Sequence, residues 1–173
     1  MLLTIQQKYL LTALRKLGGA RRDQLVALFR PAFCTQKPES ADWIAGTALH
    51  RLQSTNQLRE SNGVYYLTNA PPTDDVLEAI DVMLDLSQAQ PLDFQRGREP
   101  VLLRFSVQEQ KVRRFVVARH GVEPGDLNLG AYERVILLFD GRGKGQPLPV
   151  SNKQFYAIRQ EGGTHRYYAV NAP

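Results

Sequence analysis

Asn62-Gly63 restricts this chain more than any other dipeptide in it. Both central residues of a two-residue type I′ turn take positive φ, which asparagine tolerates and glycine adopts freely. The pair therefore predicts a tight hairpin between Gln57-Leu58-Arg59-Glu60 and Val64-Tyr65-Tyr66-Leu67. Upstream, from Ser40, the pattern is helical. Trp43, Ile44, Ala48, Leu49 and Leu52 recur near the helical period and define a face to bury, while Asp42, Gly46, Thr47, His50, Arg51 and Ser54 stay outside. Ser40 is placed to cap that helix with its hydroxyl. A helix running straight into a hairpin over residues 40–67 is the feature by which the other elements can be placed.

Before it, Thr4 predicts the cap of a first helix ending at Leu17. Ile5, Leu10, Ala13, Leu14 and Leu17 form its buried side, opposite Gln6, Gln7, Lys8, Arg15 and Lys16. Gly18-Gly19 ends it, since glycine accepts the left-handed conformation that follows a helix. A second helix is expected from about Arg21 to Phe29, burying Leu25, Leu28 and Phe29, with Pro31 near its end. Ala32 to Glu39 then reads as a connection longer than a minimal helix-turn-helix needs. Helix, helix, helix, hairpin is the winged helix-turn-helix order, so residues 1–70 read as such a domain, with Ser40–Gln57 as recognition helix and the hairpin as wing.

Charge supports that division. The net charge is +5. Residues 1–72 hold nine Lys/Arg against four Asp/Glu, whereas residues 73–173 hold thirteen of each, so the whole excess lies on the N-terminal part. A DNA-binding surface needs it there, although a surplus of that size also serves solubility. On the recognition helix, Thr47, His50, Arg51 and Ser54 face a major groove, with Trp43 at the N-terminal end. Arg51 is the base-contact candidate, because its guanidinium reaches both acceptors of guanine. Arg59 and Asn62 of the wing suit a minor groove or phosphate, and Arg21 and Arg22 suit phosphate, which positions a domain without reading sequence. The competing reading is a solvated face that binds nothing.

Ala70-Pro71-Pro72-Thr73 marks the boundary to a second domain, residues 71–173, because paired prolines end the hairpin. It opens with a helix from Thr73 to about Gln88 that carries Asp74, Asp75, Glu78, Asp81 and Asp85 and no base. Its first-turn acids suit the helix dipole. Val76, Leu77, Ile80, Met83, Leu84 and Leu86 form an apolar face for the second domain or for a partner's copy of the helix. Val101–Val107 and Val112–Ala118 predict a hairpin around Gln108–Lys111, Arg134–Asp140 a central strand buried on both faces, and Phe155–Arg159 with His165–Val170 a last pair. Gly121–Tyr132 holds at most a short, irregular helix. The fold class is thus α+β, a winged helix followed by a small α/β domain with a mixed sheet of about five strands.

Enzymatic constellations are weak. Asp93, Glu109 and Lys111 spell a loose nuclease pattern that would gather Mg²⁺ between carboxylates, but Glu109 and Lys111 fall in a predicted turn rather than on a rigid strand. Gly141-Arg-Gly-Lys-Gly145 lacks the spacing and the following Ser/Thr of a phosphate loop. His50, His120, His165 and Cys34 show no metal-ligand spacing, which leaves a structural cysteine and surface histidines. No enzyme activity, cofactor, metal or small-molecule substrate is expected. One cysteine excludes an internal disulfide, the longest apolar run, Val135–Phe139, is far too short for a membrane span, and the N-terminus lacks signal-peptide features, so cytoplasm is the expected compartment.

The arrangement Thr4–Leu17, Arg21–Phe29, Ser40–Gln57 and the Asn62-Gly63 wing resembles bacterial winged-helix proteins. The whole chain resembles the replication-relaxation-type proteins and related uncharacterised families of Gram-positive plasmids and conjugative elements. That resemblance implies a second domain similar to a restriction-endonuclease-like fold, here without active-site acids on its strands. It also implies a role in mobile-element replication, transfer or transcription. The expected partner is double-stranded DNA, bound by a homodimer if two half-sites are to be linked. The alternatives are a protein-interaction module whose winged helix no longer binds DNA and, further off, a metal-dependent nuclease.

Overall fold

A computed structural model describes residues 2–122, 124–139 and 153–169. The chain divides into two compact units, Met1–Leu77 and Glu78–Pro173. No helix among the described residues is long and apolar enough to cross a membrane. The Gly141–Gly145 segment lies outside the described residues.

The first unit begins with α1 (Ile5–Leu17), started by a capping box. Thr4 Oγ1 accepts the Gln7 N–H at 3.2 Å, and Gln7 Oε1 accepts the Thr4 N–H at 2.9 Å. That reciprocal bond turns Gln7 inward, so it is buried, whereas Ile5, expected inside, is 71% exposed in the first turn. Gly18 closes the helix in the left-handed conformation, as anticipated. Strand β1 (Gly19–Arg21) follows, which the sequence does not show. Three residues are too few to display alternation, and the strand exists because β3 supplies its partner. Gly19, Ala20 and Arg21 pair antiparallel with Tyr66, Tyr65 and Val64. The approach is close: a Cβ on Gly19 would lie 2.6 Å from Pro72 Cδ and 3.0 Å from the Tyr65 carbonyl.

Helix α2 (Arg22–Phe33) runs past Pro31, so the expected end at Phe29 is corrected. Pro31 sits in the last turn, where it removes a single hydrogen bond. Aromatic packing holds that turn, with Phe33 stacked on Phe29 at 4.7 Å and Tyr9 edge-on to both. A 3₁₀ turn (Pro38–Ser40) then leads into α3 (Ala41–Ser54). Ser40 does not cap α3. Its backbone is already helical, and its hydroxyl donates to the Lys37 carbonyl at 2.7 Å. Strands β2 (Arg59–Ser61) and β3 (Val64–Tyr66) meet at Asn62-Gly63, with φ of 51° and 78° as the type I′ turn requires. The small sheet has the order β1-β3-β2.

Leu10, Leu14, Leu17, Leu25, Leu28, Phe29, Leu49 and Leu52 are each at most 2% exposed and form this unit's core. Removing each such side chain from water contributes roughly 1.5–3 kcal/mol. Gln24, also buried, donates to the Leu77 carbonyl at 2.7 Å and accepts the Arg21 N–H at 3.0 Å. Both ends of its amide are thereby satisfied.

Helix α4 (Asp74–Ser87) carries the five acids, with Asp74 and Asp75 in its first turn. The sheet of the second unit comprises β4 (Asp93–Arg96), β5 (Val101–Gln108), β6 (Val112–Arg119), β7 (Glu133–Phe139), β8 (Gln154–Arg159) and β9 (His165–Ala169), hydrogen-bonded in that order. Strands β6, β7 and β8 are parallel and the other pairings antiparallel, so the sheet is mixed, with six strands where about five were expected. The unexpected strand is β4, an edge strand whose sequence Asp-Phe-Gln-Arg offers one apolar residue. In β7, Val135 to Leu138 are all buried, as the unbroken apolar run implies. Leu127, from a 3₁₀ turn (Pro124–Leu127), packs with Val101, Val116, Ala118, Val135 and Leu137.

His165 overturns the expectation of surface histidines. Its side chain is 0% exposed, with Nε2 3.0 Å from a Glu78 oxygen and Nδ1 3.3 Å from an Asp85 oxygen. Tyr167 also donates to Asp85, at 3.4 Å. Burial disfavours the imidazolium, but bonding and charge from Glu78 and then Asp85 outweigh it and raise the histidine's pKa. Two of the α4 acids are thus charge partners of β9.

Candidate nucleic-acid interface

Helix α3 buries Ala41, Ala45, Ala48, Leu49 and Leu52, a stripe displaced from the expected one. Trp43, assigned to the buried face by its period, is 73% exposed, and Ile44 is half-buried. The small Ala41 and Ala45 take the inner positions and let the helix sit closely, which turns the indole outward. His50, Arg51 and Ser54 are exposed and Thr47 half-buried. Trp43, Thr47 and Arg51 fall at four-residue intervals along one helix face. They line a groove of ≈ 210 Å³ shared with Thr4 and Gln6 from the start of α1. Gln6 gives no sequence signal for that position, because only tertiary packing brings α1 beside α3.

The basic residues divide by what they already hold. Arg21 forms a two-bond pair with Asp23, at 3.0 and 3.3 Å. Arg22 reaches from α2 to α3, where Nη2 bonds an Asp42 carboxylate oxygen at 2.9 Å and the Asp42 carbonyl at 3.3 Å. It crosses directly over Gly46, where a Cβ would stand 2.5 Å from Nη2. These two guanidiniums brace the unit itself. Arg51 and Arg59 are exposed and carry no side-chain hydrogen bond or ion pair to any described residue.

Smaller details shape the same surface. The Ser54 hydroxyl folds back to donate to the Arg51 carbonyl at 2.9 Å, so its lone pairs rather than its proton face outward. At the hairpin tip Asn62 is exposed, and the Gly63 N–H donates to Glu60 at 2.6 Å. That carboxylate fixes the turn.

The nuclease pattern is dispersed. Glu109 lies in the β5–β6 turn and pairs with Arg113 at 2.7 Å. Strands β5 and β6 carry no acid, as their sequences imply, but Asp93 begins β4 and Glu133 begins β7, so acids do stand on other strands of the sheet. Among the described residues no group of three His, Cys, Asp or Glu is placed to hold a metal ion. Cys34 is buried at 4% exposure, in keeping with a structural thiol.

No protein-family model matches this sequence, and no curated protein or solved structure is significantly similar to it, so the functional reading stands on the chain's own residues.

Proposed function

We propose that the first unit is a winged helix that binds double-stranded DNA, with α3 as recognition helix and the β2–β3 hairpin as wing. The observation that supports this reading is the element order: helix, strand, two helices and hairpin, with β1 paired to β3. That face combines donors for base edges, Arg51, His50 and Thr47, with Trp43 as an apolar contact for a thymine methyl. The protein then acts in the cytoplasm as a sequence-specific regulator or a mobile-element accessory factor, the second unit serving dimerisation or protein contacts. It is a binding protein rather than an enzyme.

The test is selection from a random duplex pool at low and moderate salt, with and without Mg²⁺. An enriched, uncleaved sequence whose retention falls with salt is the expected result. Arg51→Ala is then expected to cost roughly 1–3 kcal/mol on the selected site and to relax one base preference. Equal losses on every duplex would remove Arg51 from base reading, and no retention at low salt would remove DNA from the function altogether.

One observation favours a second reading, a protein-interaction module. Trp43 at 73%, Ile5 at 71% and Leu2 at 96% exposure are large apolar groups left in water on the first unit. Salt-independent capture of a protein through Trp43, lost in Trp43→Ala, would establish that alternative.

A further inference from the structure

The second unit carries a hollow that the DNA-binding reading does not use. Register sets Asp93, Ser106, Arg114 and Glu133 side by side across β4, β5, β6 and β7. Strand alternation places them on one face, with Gln95 and Arg104 in the adjoining row. Further along the same face the sheet is apolar, through Val116, Val135, Ala118 and Leu137. In that row Asp93 and Arg114 are exposed and Ser106 and Glu133 half-buried, so its polar groups stand open to solvent beside the apolar part of the sheet. Over it lies a concavity of ≈ 360 Å³, lined by Arg96, Arg98, Arg104 and Arg114 against Asp93 and Glu133. A neighbouring hollow of ≈ 380 Å³ shares Arg104, Arg114 and Glu133 and adds Tyr132.

These arginines play different parts. Arg104 is committed: Nη1 bonds both Glu133 oxygens, at 2.6 and 2.7 Å, and Nη2 bonds the Leu127 and Asn128 carbonyls, at 2.9 and 3.1 Å. Glu133 also accepts the Gly130 N–H at 2.7 Å. Burial pushes the Glu133 pKa up, but the Arg104 bond, the Gly130 bond and the charges of Arg104 and Arg114 hold it below the usual carboxylate range. Its carboxylate is hydrogen-bonded through both oxygens to Arg104. Arg96, Arg98 and Arg114 form no side-chain hydrogen bond or ion pair to any described residue. Set against Asp93, they leave an uncompensated positive charge around a concave wall.

We infer that this concavity binds a small phosphorylated molecule with a planar ring, a nucleotide being the simplest member of the class. Guanidinium forks match phosphate oxygens in geometry and stay charged throughout the accessible pH range. Arg114 and Arg98 hold the phosphate, while Arg104 stays fixed as the wall behind them. Tyr132, 89% exposed on the neighbouring hollow that shares Arg104, Arg114 and Glu133, offers its ring face to the base. A hollow of a few hundred Å³ is the size small ligands occupy, and a duplex cannot enter it. The site is independent of the DNA-binding reading of the first unit.

The experiment is calorimetric titration of the full chain at low salt with AMP, ADP and inorganic pyrophosphate. Saturable binding of both nucleotides and pyrophosphate is expected. Arg114→Glu is expected to weaken all three by about tenfold or more, as loss of a charge-assisted bond implies. Tyr132→Ala is expected to weaken the nucleotides by about fivefold or more while leaving pyrophosphate unchanged. Both side chains are exposed, and circular dichroism confirms that the variants fold. No heat from any probe at millimolar concentration would overturn the proposal, as would pyrophosphate binding that ignores Arg114→Glu. Equal weakening of all three probes by Tyr132→Ala would remove the stacking role and with it the nucleotide. Binding by single-stranded oligonucleotides alone would assign the arginines to a nucleic-acid path instead.

Discussion

Replacing His165 with glutamine tests a buried charge cluster of the second unit. The imidazole is fully enclosed, 3.0 Å from Glu78 and 3.3 Å from Asp85, whose side chains are 19% and 40% exposed. A charge-assisted hydrogen bond is worth roughly 1.5–3 kcal/mol. The cost of burying the imidazolium takes back part of that gain, and the exposure of Asp85 weakens the second bond. A net contribution of about 2 kcal/mol follows when the histidine is charged. Glutamine fills similar space and still donates to one carboxylate, but it leaves two like charges facing each other without a cation between them.

The sign of the pH dependence comes from the raised pKa. A histidine whose folded pKa exceeds its unfolded value of about 6.5 binds its proton more tightly when folded. Its contribution is therefore fully present below that unfolded value and is lost as pH rises through the folded one. Urea unfolding followed by far-UV circular dichroism is the assay, because the single tryptophan, Trp43, reports on the first unit alone. Hydrogen exchange of β8 and β9 amides localises the effect. Wild type minus His165→Gln cancels the titrating groups outside this cluster of Glu78, Asp85 and Tyr167. That difference is expected to be about 2 kcal/mol at mildly acidic pH, a midpoint shift on the order of 1 M urea, and to shrink as the solution becomes alkaline. A difference that stays constant with pH, or grows as pH rises, would refute the charged clamp.

Two further substitutions probe the first unit. Gly19→Val is expected to destabilise it by roughly 3 kcal/mol, since a Cβ would stand 2.6 Å from Pro72 Cδ and 3.0 Å from backbone, neither of which yields easily. A loss under about 1 kcal/mol in Trp43-monitored unfolding would show that β1 can move away from β3 at little cost. Thr4→Ala, which breaks the capping box, is expected to cost about 1 kcal/mol and to speed exchange of the first-turn amides of α1, while leaving α3 protected. Uniform exchange changes across both helices would argue that the cap's effect is not local.

What the sequence discloses and what it hides follow from the range of the interactions. Thr4, Gly18 and Asn62-Gly63 act through their nearest neighbours, and each stands in the structure as its residue type dictates. The apolar run of β7 and the β5–β6 and β8–β9 hairpins are equally local. Strands β1 and β4 are not, because each is short, polar or glycine-bearing, and held in place by a partner already formed. Pro31 reads locally as a helix stop, yet distant Tyr9 packs against Phe33 and holds the turn. Trp43 fits the helical period and still points outward, because Ala41 and Ala45 fill the inner positions. His165 between two acids and Arg22 across Gly46 join residues far apart in the chain, and no window of sequence contains both partners.

The pairing of Arg21 and Arg22 carries the DNA-binding proposal to a number. With those two guanidiniums engaged by Asp23 and Asp42, the face of α3 and its hairpin offers Arg51 and Arg59 as cations without an acid at hydrogen-bond distance. Arg51 in the groove and Arg59 near phosphate each bring one charge into the DNA's counterion atmosphere, so few counterions are released and log K is expected to fall with log salt at a slope of roughly −2. Binding on that basis is weak at physiological salt, so the proposed function calls for two copies on linked half-sites, for which the slope doubles to roughly −4. Measuring the slope on the selected duplex and on its isolated half-site therefore reads stoichiometry and contact number together. Slopes of about −2 on the half-site and −4 on the full site fit two copies with the engaged arginines left in place. A half-site slope near −4 would mean that Arg21 and Arg22 abandon their aspartates for phosphate, and Asp42→Asn would then tighten binding instead of loosening the fold.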